Sequence, residues 1–319
     1  MELPNEPRGV PLAPSSRRAG HLLARRETLL GIAMTAPALL LIAGIYLYPA
    51  VMTVIYSLVD FDLVRLRVSR FVGFQHYLEL LKSPGFVAVA LRTLYFGSLI
   101  VALTSVVAFL IALLLNEPFR GRTLLRMVVL LPWAVPPVVA GVLWGQMFHA
   151  EMGFINAFLF RLGLIDQYRI WLGQPSTALH AIVIVEVWRA LPFMVLFFLA
   201  GLQSLPGHLF EAASLDGANA WQRFGHVLLP LLAPIAIPLM MIQFVWSMKA
   251  FDTIFVLTRG GPARSTTTLN YFVYQEGFQF FDLGRASAAA YVLLALTVLM
   301  IAALYGLRWI LGRRGVIDA

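Results

Sequence analysis

The sequence contains no cysteine and few charged residues. The absence of cysteine excludes disulfides, thiolate metal ligands, a cysteine nucleophile and lipid attachment to cysteine. Only 13% of the residues are charged, whereas roughly 25% is usual for a soluble domain. So few charges cannot cover a water-facing surface, and a soluble globular fold is therefore excluded.

Several chemical signatures are missing as well. There is no phosphate-binding loop of the form G-x-x-x-x-G-K-[ST], so we predict that this chain performs no phosphoryl chemistry. The apolar segments contain no cluster of His, Asp or Glu of the kind that holds a metal or acts as a general base. The net charge is +8, but no basic stripe with interleaved aromatic residues lies in a polar segment, so we predict no nucleic-acid partner.

What the sequence does contain is a set of long apolar segments. Hydrophobic residues make up 60% of the chain, and the mean hydropathy is +0.81. About 20 apolar residues are needed for a helix that crosses ~30 Å of hydrocarbon, and an open chain can cross only as helices. The pattern predicts an all-α integral membrane protein with six transmembrane helices. The six windows are Thr28–Val59, Thr93–Asn116, Met127–Phe148, Ala178–Leu205 (interrupted by Glu186 and Arg189), Phe224–Met248 and Ala286–Leu307.

The orientation follows from the basic residues between these windows. With the N-terminus inside, the inner pieces carry 12 Arg in 73 residues, and the outer pieces carry nine Lys or Arg in 96. We therefore predict that both termini are cytoplasmic. The first window is too long for a signal peptide and has no convincing cleavage site, so we expect it to be retained. The predicted divisions are a cytoplasmic tail 1–28 that is disordered at its start, a membrane domain 29–312 with an inner loop 205–226, and a tail 313–319.

The stretch EAASLDGANAWQRFGHVLLP, residues 211–230, interrupts the apolar pattern. Ser204 before Pro206 predicts a helix start, Gly217 suits the reversed backbone at the end of that helix, and Asn219 can cap a second helix. The predicted helix-turn-helix would lie on the membrane surface. Small residues and the carboxylates of Glu211 and Asp216 would let a partner approach, although a plain amphipathic loop explains the composition equally well.

This stretch resembles the EAA motif of the permeases of ABC importers. The matching residues are Glu211-Ala212-Ala213, Gly217, Val227 and Leu229-Pro230, with Asp216 and Ala218 in the fuller form, and valine in place of the usual isoleucine. The fourth window and the segment Phe251–Gly284 are similar to the carbohydrate-uptake branch of this family. Within that branch, the N-terminal tail and Pro49 resemble the larger pore subunit of the maltose and glycerol-phosphate type. The resemblance covers roughly residues 25–312.

The resemblance implies a transport function and a set of partners. It implies a coupling helix that docks on a separate ATPase, with Glu211, Ala212, Ala213, Asp216, Gly217 and Ala218 as the coupling residues. The implied partners are a second homologous permease, two ATP-binding subunits that carry ATP and Mg, an extracytoplasmic substrate-binding protein and membrane lipid. No cofactor is expected on this chain. The implied place is the bacterial inner membrane, and the implied cargo is a sugar or sugar-like solute.

Other interpretations remain open at this stage. The solute could be a glycerol phosphate or a polyol rather than a sugar. A secondary transporter that works alone is a second class, although the spans carry few titratable groups. A membrane enzyme is a third class, which the scattered histidines disfavour.

Five polar or aromatic residues are candidates for the translocation path. Glu186 and Arg189 are three residues apart on one helix and can pair, because ionisable groups within a span usually face a cavity or a partner. The alternative is an internal salt bridge that orients Trp188. Gln243, Trp246 and Ser247 combine an aromatic face with amide and hydroxyl groups, which suits a sugar, but a tryptophan near the interface is also ordinary. We expect Asp252 to cap a helix or to pair with Lys249.

Prolines and glycines predict irregular spans. Pro132, Pro136 and Pro137 interrupt the third window, and Pro230, Pro234 and Pro238 recur every four residues in the fifth. Such kinks fit a cavity that opens alternately, or a static bundle of fitted shapes. The Gly141–Gly145 pair predicts close helix packing. We expect the aromatic-rich segment 250–287 to form short helices in the membrane interface.

Overall fold

The structure is a computed structural model that describes residues 30–62 and 67–313. The predicted tail 1–28 lies outside the described residues, as does 314–319 of the predicted C-terminal tail. The contacts within the chain divide it into two units, one that ends at Ile55 and one that begins at Tyr56, and each is described by itself.

Five helices in the described ranges are long and apolar enough to cross a membrane. They are Leu30–Ser57, Pro84–Asn116, Pro175–Ser204, Ala220–Leu257 and Leu283–Gly306, and the last of these belongs to a helix that continues to Arg313. Each corresponds to a predicted window, although the second begins nine residues earlier than predicted. The protein is therefore a helical integral membrane protein. We keep the names first, second, fourth, fifth and sixth span for these helices, and within the fourth of these segments the name fifth span is used for the central helix Leu229–Met248.

The third predicted window differs from a simple span. Its residues form two arms, Arg122–Ala134 and Pro137–Met147, that meet at an angle of 107°. The first arm consists of the α-helix Arg122–Leu130 and the 3₁₀ turn Leu131–Ala134. Two consecutive prolines, Pro136 and Pro137, follow without a backbone N–H, so the helical ladder cannot continue across the junction. The predicted proline interruption of the third window is confirmed, and the two arms together would make up the sixth crossing.

The prolines of the fifth span act differently. The helix Leu229–Met248 contains Pro234 and Pro238 in its interior and Pro230 in its first turn. A π-helical turn, Phe224–Leu228, directly precedes it, and the Leu229 N–H donates to the Phe224 carbonyl. This wider turn connects the short helix Ala220–Arg223 to the span. The local backbone therefore absorbs the first proline without ending the helix.

One segment contradicts the all-α prediction. Val59–Asp62 and Arg67–Phe71 form a two-stranded antiparallel sheet, with an irregular register between Asp60 and Phe61. Apolar and polar residues alternate along the first strand, which is the pattern of a half-exposed strand. The hairpin is followed by a short helix, Gln75–Lys82, that leads into the second span.

The core of the C-terminal unit lies between the second, fourth and fifth spans. Ala108 and Ala112 of the second span pack against Met194 and Phe198 of the fourth, and all four are buried. Small residues let the helices approach closely: a Cβ on Gly201 would lie 2.9 Å from the Leu232 side chain. This core fixes the positions of the fourth and fifth spans, which carry both candidate sites.

The segment 250–287 forms short helices, as predicted. The helices are Asp252–Leu257 and Leu269–Tyr274, followed by a π turn, Gln275–Gln279. Tyr271 and Phe272 are buried. At the start of their helix, the Leu269 N–H donates to the Thr93 hydroxyl of the second span at 2.8 Å, so the helix is bonded to the bundle. The helix Leu269–Tyr274 therefore packs into the bundle, whereas Phe278 and Phe280 are exposed.

The glycine pair of the third window packs as predicted. A Cβ on Gly141 would lie 3.0 Å from the Val256 side chain, and one on Gly145 would lie 3.4 Å from Leu257. The second arm of the bent helix therefore rests on the helix Asp252–Leu257. Further out, the helix Phe154–Arg161 follows this arm.

Candidate functional site

All five predicted path residues line one cavity, which we call the central cavity. Its volume is about 240 Å³. The fourth span contributes Glu186 and Arg189, and the fifth contributes Gln243, Trp246 and Ser247. The remaining lining residues are Trp133, Ala190, Phe193, Lys249, Ala250, Phe251 and Asp252. Residues that are about 60 positions apart in sequence are thus brought together around a space large enough for a small solute.

An ion pair occupies one wall of the central cavity. The Arg189 Nη1 donates to both carboxylate oxygens of Glu186, at 3.0 and 3.2 Å. The hydroxyl of Thr253 also donates to this carboxylate, so the pair is tied to the helix that follows the fifth span. The predicted salt bridge is confirmed, and it also faces the cavity. The neighbouring Trp188 packs edge-on against Trp144, with ring centroids 5.7 Å apart.

The fifth span contributes to the cavity a side-chain amide whose oxygen has no hydrogen-bond partner among the described residues. Gln243 is only 3% exposed, and its side-chain oxygen has no hydrogen-bond partner among the described residues. Ser247, one turn later, donates its hydroxyl to the Gln243 carbonyl at 2.9 Å. A buried polar atom without a partner is costly, so such an atom beside a cavity indicates a position for a hydrogen-bonding ligand.

Aromatic rings complete the central cavity. Trp246 lies against Phe193 with ring centroids 4.6 Å apart. The Trp246 ring therefore forms part of the cavity wall. A tryptophan that served only as an interface anchor would not need to line a cavity. Trp133 was missed in the sequence, because its place depends on the 107° bend that turns the first arm toward the fourth span. The prolines around it were the only available signal.

Asp252 does not behave as predicted. It occupies the first turn of the helix Asp252–Leu257, and the cap position belongs to Phe251. Among the described residues, it forms no salt bridge with Lys249. Both side chains line the central cavity and contribute opposite charges to it.

The second candidate site is the loop 205–226. Its first helix is Gly207–Leu215, and it ends at Gly217 with a φ of 80°. The Ala218 N–H donates to the Ala213 carbonyl at 2.9 Å and satisfies the helix end, as in a Schellman-type motif. The predicted reversal at Gly217 is confirmed. Ser204 does not cap this helix; it ends the fourth span and donates its hydroxyl to the Gly201 carbonyl at 2.7 Å.

The second helix of the loop begins as predicted. The side chain of Asn219 accepts a hydrogen bond from the Gln222 N–H at 2.9 Å, and the Gln222 side chain accepts one from the Asn219 N–H at 2.8 Å. This reciprocal capping box fixes the turn between the helices. Arg223 adds a bond that the sequence did not indicate: its Nη1 donates to the Ser214 hydroxyl at 2.7 Å. The two helices are therefore joined by side chains as well as by backbone.

These bonds shape a concave surface on the loop, which we call the loop groove. Its volume is about 440 Å³. It is lined by Ala213, Asp216, Gly217, Ala218, Gln222, His226 and Val227. Glu211 and Ala212 are exposed on the first helix but do not line the groove. The small residues leave room for an inserted side chain, and the exposed carboxylates of Glu211 and Asp216 can receive cations of a partner.

Most of the chain matches a known protein family, and the match includes both candidate sites. Residues 81–314 match the family described as the inner membrane component of binding-protein-dependent transport systems. This chain belongs to that family. It is a permease subunit of an ABC importer, which confirms the resemblance seen in the EAA motif.

Relatives with assigned names share most of their length with this permease. It is 37% identical over 262 residues to the trehalose/maltose transport system permease protein MalF of Thermococcus litoralis, covering 82% of this chain and 86% of the relative. It is 35% identical to the sulfoquinovosyl glycerol transport system permease protein SmoG of Agrobacterium fabrum, with coverage of 85% and 88%. It is also 35% identical to the sn-glycerol-3-phosphate transport system permease protein UgpA of Yersinia pestis, with coverage of 83% and 89%. These relatives are transport subunits and not enzymes.

Solved structures show the same fold. A bacterial ABC transporter for the import of the acidic polysaccharide alginate contains a chain with a TM-score of 0.75 and 23% identity, covering 89% of this permease and 96% of that chain. The same transporter in complex with an alginate pentasaccharide-bound periplasmic protein matches with a TM-score of 0.75, over 92% of this permease.

Proposed function

We propose that this permease and a homologous partner subunit form the path by which a neutral sugar or sugar-like solute enters a bacterial cell. The proposed orientation places both termini and the loop 205–226 on the cytoplasmic side of the inner membrane. Two ATP-binding subunits, which carry ATP and Mg, would drive the cycle. An extracytoplasmic substrate-binding protein would deliver the solute, in keeping with the periplasmic protein bound to the alginate transporter.

The central cavity carries the proposal of a carbohydrate. Its walls combine four aromatic side chains with the unpaired Gln243 amide. A sugar presents apolar C–H faces to aromatic rings and hydroxyls to amide groups, so both features of the cavity would be used. Apolar walls with a few placed polar groups are the usual form of a small-molecule site.

The charge of the cavity favours a neutral solute over an anionic one. Its four charged side chains are Glu186, Arg189, Lys249 and Asp252, two of each sign, and their formal charges cancel. Arg189 is already engaged by Glu186 at 3.0 Å. A phosphate or sulfonate would enter a site without excess positive charge and would lose hydration that the site does not replace. The glycerol-phosphate alternative is therefore disfavoured for this chain.

The loop groove supports coupling to a separate ATPase. The groove is open, its shape is fixed by the capping box and the Arg223–Ser214 bond, and Leu215 next to it is 89% exposed. An apolar side chain so exposed on a polar loop fits a surface that is covered in an assembly. We assign Glu211, Ala212, Ala213, Asp216, Gly217 and Ala218 to this contact.

Reconstitution tests the proposal against its competitors. The complete complex, with its ATPase and binding protein, would be placed in liposomes that contain ATP, and the uptake of labelled neutral oligosaccharides and of glycerol phosphate would be compared. We expect ATP-dependent uptake of a neutral sugar. ATP-dependent uptake of glycerol phosphate alone would overturn the solute class. Uptake by the chain alone on an ion gradient would overturn the coupled mechanism and indicate a secondary transporter.

A further inference from the structure

A second cavity lies near the ends of three spans, away from the central cavity. We call it the end pocket; its volume is about 240 Å³. The second span contributes Leu115, the first arm of the bent helix contributes Arg126, Val129 and Leu130, and the fourth span contributes Val195, Leu196, Leu199, Ala200 and Gln203. Seven of these nine side chains are apolar, so the pocket is an apolar trough, and Arg126 and Gln203 are its polar residues.

Arg126 lacks the partner that its charge needs. Its Nε is buried and has no hydrogen-bond acceptor among the described residues. The Nε of Arg122, one turn earlier on the same arm, is also buried and without an acceptor there. A buried donor on a charged group costs more than a neutral one when it is left unpaired. The arm therefore presents positive charge whose complement is not supplied by the described residues.

We infer that the end pocket binds an anionic phospholipid, with the phosphate on Arg126 and one acyl chain in the apolar trough. The pocket suits both parts of such a lipid. Arg126 can form a charge-assisted hydrogen bond with the phosphate, and the Leu and Val side chains can pack against the acyl chain. The inference rests on the orientation in the proposed function, which puts residues 116–126 at the cytoplasmic surface. Basic pockets between helices at that level are suited to anionic headgroups.

The position of the pocket gives the lipid a structural role. It lies between the first arm of the bent helix and the last turns of the fourth span, where Gln203 is two residues before the loop 205–226 begins. A bound lipid would hold these two elements together just before the loop groove. The bound membrane lipid would then help to fix the position of the loop groove.

The experiment compares lipid retention by the complete complex carrying matched variants. Arg126→Gln removes the charge, and Ala200→Trp fills the trough while keeping Arg126. Arg120→Gln is the control, since Arg120 is exposed and does not line the pocket. Native mass spectrometry after exchange into detergent with phosphatidylglycerol or phosphatidylcholine measures the bound lipid. We expect wild type and the control to retain phosphatidylglycerol. Both pocket variants should retain at most about one tenth of the phosphatidylglycerol that wild type retains.

Several results would overturn the inference. Equal retention of the two lipids by wild type would show that the headgroup is not recognised. A thermal shift produced by inorganic phosphate alone, equal to that produced by phosphatidylglycerol, would identify a free anion as the ligand. A cross-link from Leu196→Cys to the partner permease, without bound lipid, would show that a protein segment fills the trough. Because the readout is lipid and not transport, these results leave the proposed function to its own test.

Discussion

Arg223 and Ser214 lie on different helices of the loop 205–226, and the Arg223 Nη1 donates to the Ser214 hydroxyl at 2.7 Å. Ser214 in turn donates its own proton to the Phe210 carbonyl at 2.7 Å. The bond therefore connects the first helix of the loop, through one hydroxyl, to the helix that leads into the fifth span. This contact and the turn at Gly217 are therefore placed to couple the positions of the two helices.

Removal of that connection should weaken coupling without preventing insertion. Ser214→Ala and Arg223→Gln each delete the bond, and because the site is exposed we expect a small effect on stability, about 1 kcal/mol or less. The ratio of solute transported to ATP hydrolysed should fall in both variants. The double variant should be no worse than either single one, because the two act through one contact. Additive losses in the double variant would show that the residues act separately.

Gly217 should be intolerant of a branched side chain for a backbone reason. With a φ of 80°, a valine would be strained by roughly 1–2 kcal/mol, although no described atom outside the neighbouring residues lies within 4 Å of an added Cβ. We expect Gly217→Val to insert normally and to lose ATP-coupled uptake. Gly217→Asn should retain more uptake, because asparagine tolerates this region. Gly207→Ala is the matched control, since its site is equally open and its φ is ordinary; unchanged uptake in Gly217→Val contradicts the prediction.

The Glu186–Arg189 pair should be more sensitive to single than to double substitution. Glu186→Gln leaves the Arg189 charge partly buried without a partner; the cost should be below the about 3–5 kcal/mol of a fully buried pair, because both side chains border the cavity. Glu186→Gln with Arg189→Gln removes both charges and should restore much of the stability, measured by thermal unfolding of the purified complex. If the double variant folds but does not transport, the pair belongs to the path. If it folds and transports normally, the role of the pair is structural.

Gln243 should contribute to solute binding and not to stability. Its side-chain oxygen has no partner among the described residues, so Gln243→Leu removes no bond that holds the fold. We expect unchanged unfolding and a rise of about threefold to tenfold in the solute concentration for half-maximal uptake. Ser247→Ala should have a smaller effect, because that hydroxyl already donates to the Gln243 carbonyl. A destabilised Gln243→Leu protein with normal affinity would assign this residue to packing.

Glu276 should make stability depend on pH. Burial raises the pKa of its carboxyl above the ordinary 4.5 and Asp282 raises it further, whereas Arg285, at 3.8 Å, and Arg264 oppose the shift. The folded protein then binds a proton that the unfolded chain has released, so the free energy of unfolding falls as pH rises from 4.5 through the folded pKa. Unfolding measured from roughly pH 4 to pH 8 should show this fall in wild type and not in Glu276→Gln. An identical slope in both proteins contradicts the assignment.

Local sequence rules predicted the parts of the structure that depend on near neighbours. The cap at Asn219, the reversal at Gly217 and the Glu186–Arg189 pair all involve residues within five positions of each other. The five candidates of the central cavity were found because polar residues are conspicuous in apolar spans. Their convergence on one space was not predictable, because it depends on how the fourth and fifth spans pack.

The misses have a common physical origin. Trp133 reaches the central cavity only through the angle between the two arms, and the prolines show that a helix is interrupted without giving its new direction. The Arg223–Ser214 bond joins residues nine positions apart across a turn, beyond the range of helix spacing rules. The hairpin at Val59–Phe71 was not predicted, because its charged residues obscure the alternating pattern of its strands.

The bent third segment has a consequence for how the protein is made. Its arms contain 13 residues, nine plus four, and 11 residues, which correspond to about 20 Å and 16 Å of helix. Neither length reaches across ~30 Å of hydrocarbon, so neither arm is a stable crossing by itself. The polar backbone at the 107° corner therefore depends on protein surfaces that neighbouring helices supply within the bilayer. We therefore expect this segment to reach its final shape by folding within the lipid, after the neighbouring helices have been inserted.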